Sequence, residues 1–210
     1  MPLVYPSQHP IVQMKVSALR DVATPPAEFR RLVRALATLI AAEATADLPT
    51  RAVRVQTPLA AAAGVALVDN VGVVPILRAG LGMAEGVLDL LPDAEVWHLG
   101  LFRDEHTLRP TEYYNKVPRP PRMSVALVVD PMLATGGSAI HACAVLRDAG
   151  VRRIKLLALL AAPEGIAKLS AAVPDVPIHV AAIDAHLNDV GFIVPGLGDA
   201  GDRQFNTVPH

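Results

Sequence analysis

Segments with a helical repeat alternate with apolar, strand-like segments along most of the chain. Apolar side chains recur at the spacing of one helix face near the start, which predicts an N-terminal helix over about residues 25–47 with Thr24 as its N-cap. Five apolar, β-rich runs follow, separated by helix-prone segments; the runs are 71–77, 96–102, 125–129, 154–161 and 178–183, and the helix-prone segments are 79–91, 137–149 and 164–172. Because several runs are apolar throughout, the pattern predicts an α/β fold with a largely parallel sheet flanked by helices.

Two segments interrupt this alternation. Residues 103–122 are polar and contain four prolines, which predicts an arm formed by a loop or a hairpin. The tail over about 184–207 is rich in glycine and turn residues, and its centre, residues 191–203, is expected to form no regular element. The sequence shows no internal repeat and no linker, so we expect a single domain over residues 1–210.

Composition and charge narrow the class of protein. Hydrophobic residues make up 52% of the chain and charged residues 19%, which excludes intrinsic disorder, and a single cysteine excludes a disulfide framework. The formal net charge is −1, so we expect no attraction to nucleic acid or to an anionic membrane surface. The sequence has no apolar run long enough to span a membrane, and its first residues do not resemble a signal peptide, so a cytoplasmic location is expected.

The most specific chemical pattern is an acidic residue at a strand end, followed by a glycine-containing loop and a helix. Asp130 follows the run 125–129, and the sequence then reads Pro-Met-Leu-Ala-Thr-Gly-Gly-Ser up to position 138. Ligands of parallel sheets bind at the carboxyl ends of strands, and glycine amides beside a helix N-terminus suit a phosphate. The carboxylate of Asp130 suits the hydroxyls of a ribose beside that phosphate. A structural turn held by Asp130 is the alternative interpretation.

The segment 130–138 resembles the ribose-phosphate loop of the type I phosphoribosyltransferases, and in particular that of the uracil phosphoribosyltransferase family. Further similar stretches extend the resemblance, in order, over essentially the whole chain; they are 9–10, 74–83, 113–116, 162–165 and 195–203. The resemblance implies a type I phosphoribosyltransferase fold in which the tail is a C-terminal base-recognition segment. It also implies pyrimidine salvage, in which uracil and 5-phosphoribosyl 1-diphosphate give UMP and diphosphate, with Mg²⁺ bound to the diphosphate substrate.

The same resemblance implies a role for each residue of the loop. Asp130 would contact the ribose hydroxyls. The rest of the loop would bind phosphoribosyl diphosphate, and its last four residues would hold the 5-phosphate; the loop residues are Pro131, Met132, Leu133, Ala134, Thr135, Gly136, Gly137 and Ser138.

The resemblance also implies residues for the diphosphate and the base. Arg78 and Arg103 match diphosphate-binding arginines, for which a structural ion pair is the alternative. The uracil-binding stretch, for which a structural glycine-rich turn is the alternative, comprises Ile193, Gly198, Asp199 and Ala200. Asp199 also matches a residue near the diphosphate substrate, so Asp130, Arg78 and Asp199 are the expected catalytic residues. No set of protein ligands for a metal is expected, and no general base stands out.

Further expectations follow from the resemblance. A non-proline cis peptide bond is expected on one side of Arg78, a homo-oligomer is expected with Tyr113 and Tyr114 at a subunit contact, and GTP, which activates some relatives, is a candidate effector. Trp97 and Asn206 depart from the smaller residue and the glycine usual in the family. Two other functions stay open: a phosphoribosyltransferase for another base, and a regulatory protein that senses nucleotides and binds RNA.

Overall fold

The chain alternates strands with helices, and a computed structural model describes residues 3–103 and 110–208. The strands are β1 (Val4–Pro6), β2 (Thr50–Gln56), β3 (Ala61–Leu67), β4 (Val71–Leu77), β5 (Glu95–Val96), β6 (Leu99–Arg103), β7 (Pro110–Asn115), β8 (Val125–Val129), β9 (Met132–Leu133), β10 (Arg153–Ala161), β11 (Ile178–Ile183), β12 (His186–Leu187) and β13 (Ile193–Val194). The helices are α1 (Pro10–Arg20), α2 (Pro26–Thr45), α3 (Leu81–Leu90), α4 (Gly137–Ala149), α5 (Pro163–Ala172) and α6 (Ala200–Phe205). Among the described residues, no helix has the length and apolar character needed to cross a membrane.

The main path of the central sheet runs in the spatial order β1, β11, β10, β8, β4, β6 and β7. Every neighbouring pair from β1 to β6 is parallel, and β7 adds an antiparallel edge. The short strands β5 and β9 pair in parallel with β4 and β10. The prediction of a largely parallel sheet is therefore confirmed. Because parallel strands end at the same edge of a sheet, the loops that follow β4 and β8 lie side by side.

Helices cover both faces of the sheet because its central strands are apolar on both sides. In β8, Leu127 belongs to a core with Phe29 and Leu36 of α2, whereas Val128 belongs to a second core with Leu146 of α4. The first core includes α1, α2 and α3, and the second includes α4 and α5. Full burial of such side chains stabilises the fold by about 1.5–3 kcal/mol each, which fixes the sheet and therefore the loops at its edge.

The predicted elements match the structure closely, with corrections at their ends. Strands β4, β8 and β11 and helix α4 have the predicted bounds, whereas the run 96–102 is divided into β5 and β6. Helix α2 covers most of the predicted 25–47, but Thr24 is not its N-cap. Pro25 occupies that position without a side-chain hydrogen bond. The Thr24 hydroxyl instead donates to the carbonyl of Ala18 (2.6 Å), and this hydrogen bond closes the turn that joins α1 to α2.

The expectation that residues 191–203 form no regular element is wrong. Strand β13 pairs with β12 in an antiparallel ladder, and α6 begins at Ala200. Asp199 is the N-cap of α6, and its Oδ1 accepts a hydrogen bond from the N–H of Asp202 (2.8 Å), which favours a helix start despite the glycines. The helix ends at Asn206 in the left-handed region (φ 55°), which asparagine tolerates better than most residues. This departure from glycine is therefore compatible with the turn.

Besides β13 and α6, the elements that were not predicted are α1, the hairpin of β2 and β3, and the short strands β1, β9 and β12. Helix α1 begins after His9, whose Nδ1 accepts a hydrogen bond from the N–H of Ile11 (3.1 Å). In the β2–β3 hairpin, no residue from 50 to 67 is buried. In the region of the predicted arm, 103–122, strand β7 pairs antiparallel with β6, and residues 104–109 between these strands lie outside the described residues.

Candidate functional site

Three segments that carry predicted site residues meet at the carboxyl edge of the sheet. The loop after β4 carries Arg78, the loop after β8 carries Asp130, and residues 193–200 of the tail lie against the second of these loops. The segments are distant in sequence, and the parallel strand order brings them together. The candidate residues for ribose phosphate, diphosphate and base therefore share one edge of the molecule.

The phosphate loop, residues 130–138, is shaped by two close backbone approaches. Gly136 has a φ of 77° at the N-cap of α4, a conformation that favours glycine. A Cβ atom on Gly136 would lie 3.0 Å from the carbonyl oxygen of Gly165, and one on Gly165 would lie 2.3 Å from the carbonyl oxygen of Ala134. The loop is therefore packed tightly against the start of α5, which fixes the direction of its amides.

The phosphate loop and the first turn of α4 surround a small cavity. Asp130, Leu156 and residues 132–139 line it. Amides in the first turn of a helix have no partners within the helix, and the helix dipole favours an anion beside them. Pro131 does not line the cavity: it is buried, and its carbonyl accepts hydrogen bonds from the backbone of β10. The other loop residues predicted to bind phosphoribosyl diphosphate all face this cavity, which suits a phosphate.

Asp130 is a half-buried carboxylate at the mouth of this loop. Its Oδ1 accepts a hydrogen bond from the N–H of Met132 (3.3 Å). Burial raises the pKa of Asp130 to about 7; the hydrogen bond from Met132 opposes this rise, and the nearby carboxylate of Asp199 reinforces it. A ligand that donates hydrogen bonds to Asp130 would favour its ionised form. Such perturbed carboxylates in clefts are typical of functional sites.

A second cavity, which we call the base cavity, lies between the phosphate loop and the tail. Met132 and Ala134 line one side. The other side is lined by residues 190–192 and by all four predicted base-binding residues, Ile193, Gly198, Asp199 and Ala200. The bond between Val194 and Pro195 is cis, and Gly198 has a φ of 81°. The backbone between β13 and α6 belongs to neither element. Protein partners bind the N–H and C=O of Gly196 and the C=O of Leu197, whereas no hydrogen bond from the described residues occupies the N–H or C=O of Gly198, which are available to a ligand.

The structure describes the side chain of Arg78 but not that of Arg103. The Leu77–Arg78 bond is a non-proline cis peptide, which confirms that expectation. The Arg78 side chain is 53% exposed, and its Nη2 lies 3.7 Å from Oδ1 of Asp202, longer than the roughly 2.7–2.9 Å of a charge-assisted hydrogen bond. The guanidinium is therefore not held in a tight structural ion pair. Arg103 ends β6, but its side chain lies outside the described part of the chain, and its role stays a prediction.

Sequence reasoning missed the side chains that anchor the tail. Arg203 donates from Nη1 to the carbonyls of Leu19 and Leu197 (both 2.9 Å), and its guanidinium lies 4.4 Å from the centre of the Phe29 ring. It therefore joins the base-binding stretch to the end of α1 and to α2. The cluster of charges at the end of the sequence was the one available clue, because these partners lie far apart in the chain.

Gln204 joins the tail to the Arg78 loop. Its side chain is fully buried, and Nε2 donates to the carbonyl oxygens of Ala79 (3.0 Å) and Ala200 (3.1 Å). Gly82 makes room for this amide, since a Cβ atom there would lie 2.1 Å from Oε1. One amide thus connects the candidate diphosphate loop with the candidate base segment.

Comparisons with known proteins agree with this arrangement. The sequence model of the uracil phosphoribosyltransferase family matches residues 6–207. The chain is 55% identical to the uracil phosphoribosyltransferase of Roseiflexus castenholzii, over 99% of this chain and 100% of that protein, and 53% identical to that of Dictyoglomus turgidum, over 95% and 97%. Among solved structures, a protein from Aquifex aeolicus superposes with a TM-score of 0.93 at 33% identity, covering 99% of this chain and 100% of that one.

Proposed function

This chain belongs to the uracil phosphoribosyltransferase family, and we propose that it transfers the phosphoribosyl group of 5-phosphoribosyl 1-diphosphate to uracil in pyrimidine salvage. The observation that carries this function is the base cavity, which Met132 and Ala134 of the phosphate loop share with Ile193 and Ala200 of the tail. A base bound in this cavity would lie directly beside the loop that we propose to bind the phosphate. The reaction breaks the bond between ribose C1 and the diphosphate oxygen and forms a bond from C1 to N1 of uracil. UMP, diphosphate and the N1 proton are released.

Positioning and electrostatics supply the catalysis in this proposal. The amides of the phosphate loop hold the 5-phosphate, Asp130 accepts hydrogen bonds from the ribose hydroxyls, and Arg78 binds the diphosphate as it leaves. As the bond to the diphosphate breaks, positive charge develops at C1. Asp130 lines the phosphate cavity and Asp199 lines the base cavity, and in this proposal their carboxylates stabilise that charge.

Magnesium fits the proposed site as a companion of the substrate. In the described residues, no group of three or more histidine, cysteine, aspartate or glutamate side chains is placed to hold a metal. Asp130 and Asp199 are two nearby carboxylates, and Mg²⁺ typically takes one or two carboxylates, substrate phosphates and waters. These two residues would hold an Mg²⁺ that enters with the diphosphate. The ion would neutralise the charge that develops on the leaving diphosphate.

The proposed function is tested by product formation from defined substrates. We expect UMP from uracil, phosphoribosyl diphosphate and Mg²⁺, and no nucleotide from adenine, hypoxanthine or orotate under the same conditions. Omission of Mg²⁺ should lower the rate. Nucleotide formation from another base in preference to uracil would contradict the proposal, and so would retention of RNA without any UMP formation.

The KM for phosphoribosyl diphosphate should fall as pH rises through about 7. Burial raises the pKa of Asp130 to about 7, and the ionised carboxylate accepts hydrogen bonds from the ribose hydroxyls better than the protonated acid. The measurement is KM between about pH 5.5 and about pH 8.5 in the parent chain and in Asp130→Asn. The substrate phosphate also titrates, with a second pKa of about 6, and the variant retains that contribution alone. Parallel profiles in the two proteins would contradict the assignment.

We propose that the chain forms a homo-oligomer through the β2–β3 hairpin. No residue from 50 to 67 is buried, and Leu59 and Val65 are 96% and 73% exposed. A lone two-stranded hairpin is at best marginally stable in water, so a second copy that covers it would stabilise it. Light scattering should give at least twice the 22.2 kDa of one chain, and Val65→Asp should lower the mass toward that of one chain. A parent protein of single-chain mass would contradict this.

Two further proposals concern an effector and the location of the protein. GTP is proposed as an activator, because some relatives respond to it, and a rate of UMP formation that is unchanged by GTP would contradict this. A cytoplasmic location is proposed for a salvage enzyme that uses the phosphorylated metabolite phosphoribosyl diphosphate. Fractionation of cells that produce the protein tests it.

A further inference from the structure

A buried ion pair holds the turn in the middle of the base-binding stretch. Asp184 follows β11, and its side chain is 3% exposed. Its Oδ2 accepts a hydrogen bond from the N–H of Gly196 (2.9 Å). Arg20, the last residue of α1, donates to both carboxylate oxygens of Asp184, and its Nη1 also donates to the carbonyl of Gly196 (2.8 Å). The pair therefore binds Gly196 through both its N–H and its C=O.

The turn at Gly196 cannot shift freely because its backbone is tightly packed. Gly196 has a φ of 61°, and a Cβ atom there would lie 2.1 Å from the carbonyl oxygen of Ile193. Gly196 lies between Ile193 and Gly198, which both line the base cavity. A displacement of Gly196 would therefore move the backbone on both sides of it.

The ion pair does not touch the base cavity itself. Neither Arg20 nor Asp184 is among the residues that line it. Arg20 lines a different cavity, together with Pro195 and Leu197, which do not line the base cavity. Any effect of the pair on the base must therefore pass through the backbone of residues 193–198. This geometry makes the pair a positioning element.

We propose that Arg20 and Asp184 are specificity-determining positioning residues for the base, because they hold the main chain that contacts it. The inference rests on the proposed function, since it assigns these residues to the uracil half of that site. Most residues proposed to bind phosphoribosyl diphosphate belong to the phosphate loop, and Asp199 is held as the N-cap of α6 beyond the turn at Gly196. The binding of that substrate should therefore depend on the pair far less than the binding of uracil does. An enzyme with a weakened pair should lose affinity for uracil selectively.

Arg20→Lys is the principal test. Lysine keeps the positive charge that the buried Asp184 needs, but its single ammonium cannot reproduce the planar fork that reaches Asp184 and Gly196 together. We expect the KM for uracil to rise roughly tenfold, as befits the loss of one hydrogen bond from a charged group. The KM for phosphoribosyl diphosphate should stay within about twofold of the parent value.

Arg34→Lys is the matched control. Arg34 pairs with Asp89 on the surface, where the two side chains are 51% and 43% exposed. The same exchange there should change neither KM. Asp184→Asn is the second variant: it keeps an acceptor for the N–H of Gly196 but removes the charge, and it should raise the KM for uracil in the same direction. It decides the question if Arg20→Lys does not fold.

The outcomes separate the two proposals. If the parent protein forms no UMP, the proposed function fails. If the parent forms UMP and a folded pair variant retains the parent KM for uracil, the positioning role is overturned while the function stands. An equal rise in both KM values, accompanied by a lower Tm, would indicate a general structural role and would also overturn the inference.

Discussion

The exchange Asp130→Asn is expected to reduce kcat/KM for UMP formation by roughly 10²–10³-fold while leaving the fold intact. Asparagine has nearly the same shape, and its Oδ1 can still accept the hydrogen bond that the carboxylate receives from the N–H of Met132 (3.3 Å). It lacks the negative charge that would stabilise the developing charge at ribose C1. Its amide nitrogen also presents donors to the ribose hydroxyls instead of an acceptor.

The stability of the same variant separates a catalytic effect from a folding effect. The pKa of Asp130 is raised in the folded protein from 3.8 to about 7, so the folded state binds the proton more tightly than the unfolded state. The contribution of this group is therefore fully present below about pH 4 and is lost as pH rises to about 7. At about pH 8 the free energy of unfolding of Asp130→Asn should equal or exceed that of the parent.

The kinetic comparison needs a surface control, for which Asp89→Asn is suitable because it breaks an exposed pair with Arg34. That variant should retain parental kcat/KM. Parental activity in a folded Asp130→Asn protein would rule out the role assigned to this carboxylate.

The sheet was predictable because a strand that is buried on both faces is an uninterrupted run of apolar residues, which is easy to recognise in a sequence. Strand β8 reads Val-Ala-Leu-Val-Val, and all five residues are buried. Such a strand needs helices on both sides, so the strand pattern and the helix pattern predict the same architecture. The phosphate loop was predictable for a related reason: the residues that line its cavity are nearly all consecutive in the sequence, between β8 and the first turn of α4.

None of the elements that were missed is a strand buried on both faces. No residue of the β2–β3 hairpin is buried. Strand β2 contains two arginines and has no apolar run, whereas β3 reads Ala-Ala-Ala-Gly-Val-Ala-Leu, an apolar run made mostly of small residues instead of the β-branched and aromatic residues typical of strands. Helix α6 has six residues, two of its first four being glycine or aspartate, and its start depends on the Asp199 cap. The glycine content of residues 191–203 therefore led to the wrong prediction of an irregular segment, because composition does not reveal the Asp199 cap that starts α6.

The anchors of the base segment could not be predicted because their partners are remote. Arg20 and Asp184 are 164 positions apart, and each is unremarkable as a single charged residue. Their meeting depends on β11 ending next to the tail and on α1 ending beside both. The sequence therefore predicts which residues line the site better than it predicts which residues hold those residues in place.

Uracil should exceed cytosine in kcat/KM by roughly 10⁴-fold or more. The edge of uracil presents O2, N3–H and O4, which is the pattern acceptor, donor, acceptor. Backbone N–H, C=O and N–H groups of an irregular segment can match that pattern, and Gly198 and Asp199 present backbone between β13 and α6 at the base cavity. Cytosine has an amino group at position 4 and an acceptor at N3, so donor would face donor and acceptor would face acceptor.

If the backbone recognises the base, a conservative side-chain exchange should have little effect on base selection, whereas a change in chain length should have a large effect on activity. Ile193→Val should alter the uracil-to-cytosine ratio very little, because it leaves the main chain in place. A single glycine inserted between Leu197 and Gly198 should abolish UMP formation, since it moves the backbone groups on one side of the base cavity relative to those on the other. The phosphate loop is a separate segment, so phosphoribosyl diphosphate should still bind when measured by calorimetry.

A glycine inserted between Pro92 and Asp93, at the exposed turn between α3 and β5, is the matched control and should leave UMP formation unchanged. It has the same effect on chain length without touching the site. The decisive measurement is kcat/KM for uracil and for cytosine on one preparation of the parent protein. Values within about tenfold of each other would show that the buried backbone groups of residues 193–200 do not select the base, because an unpaired donor or acceptor in such a site costs far more than tenfold.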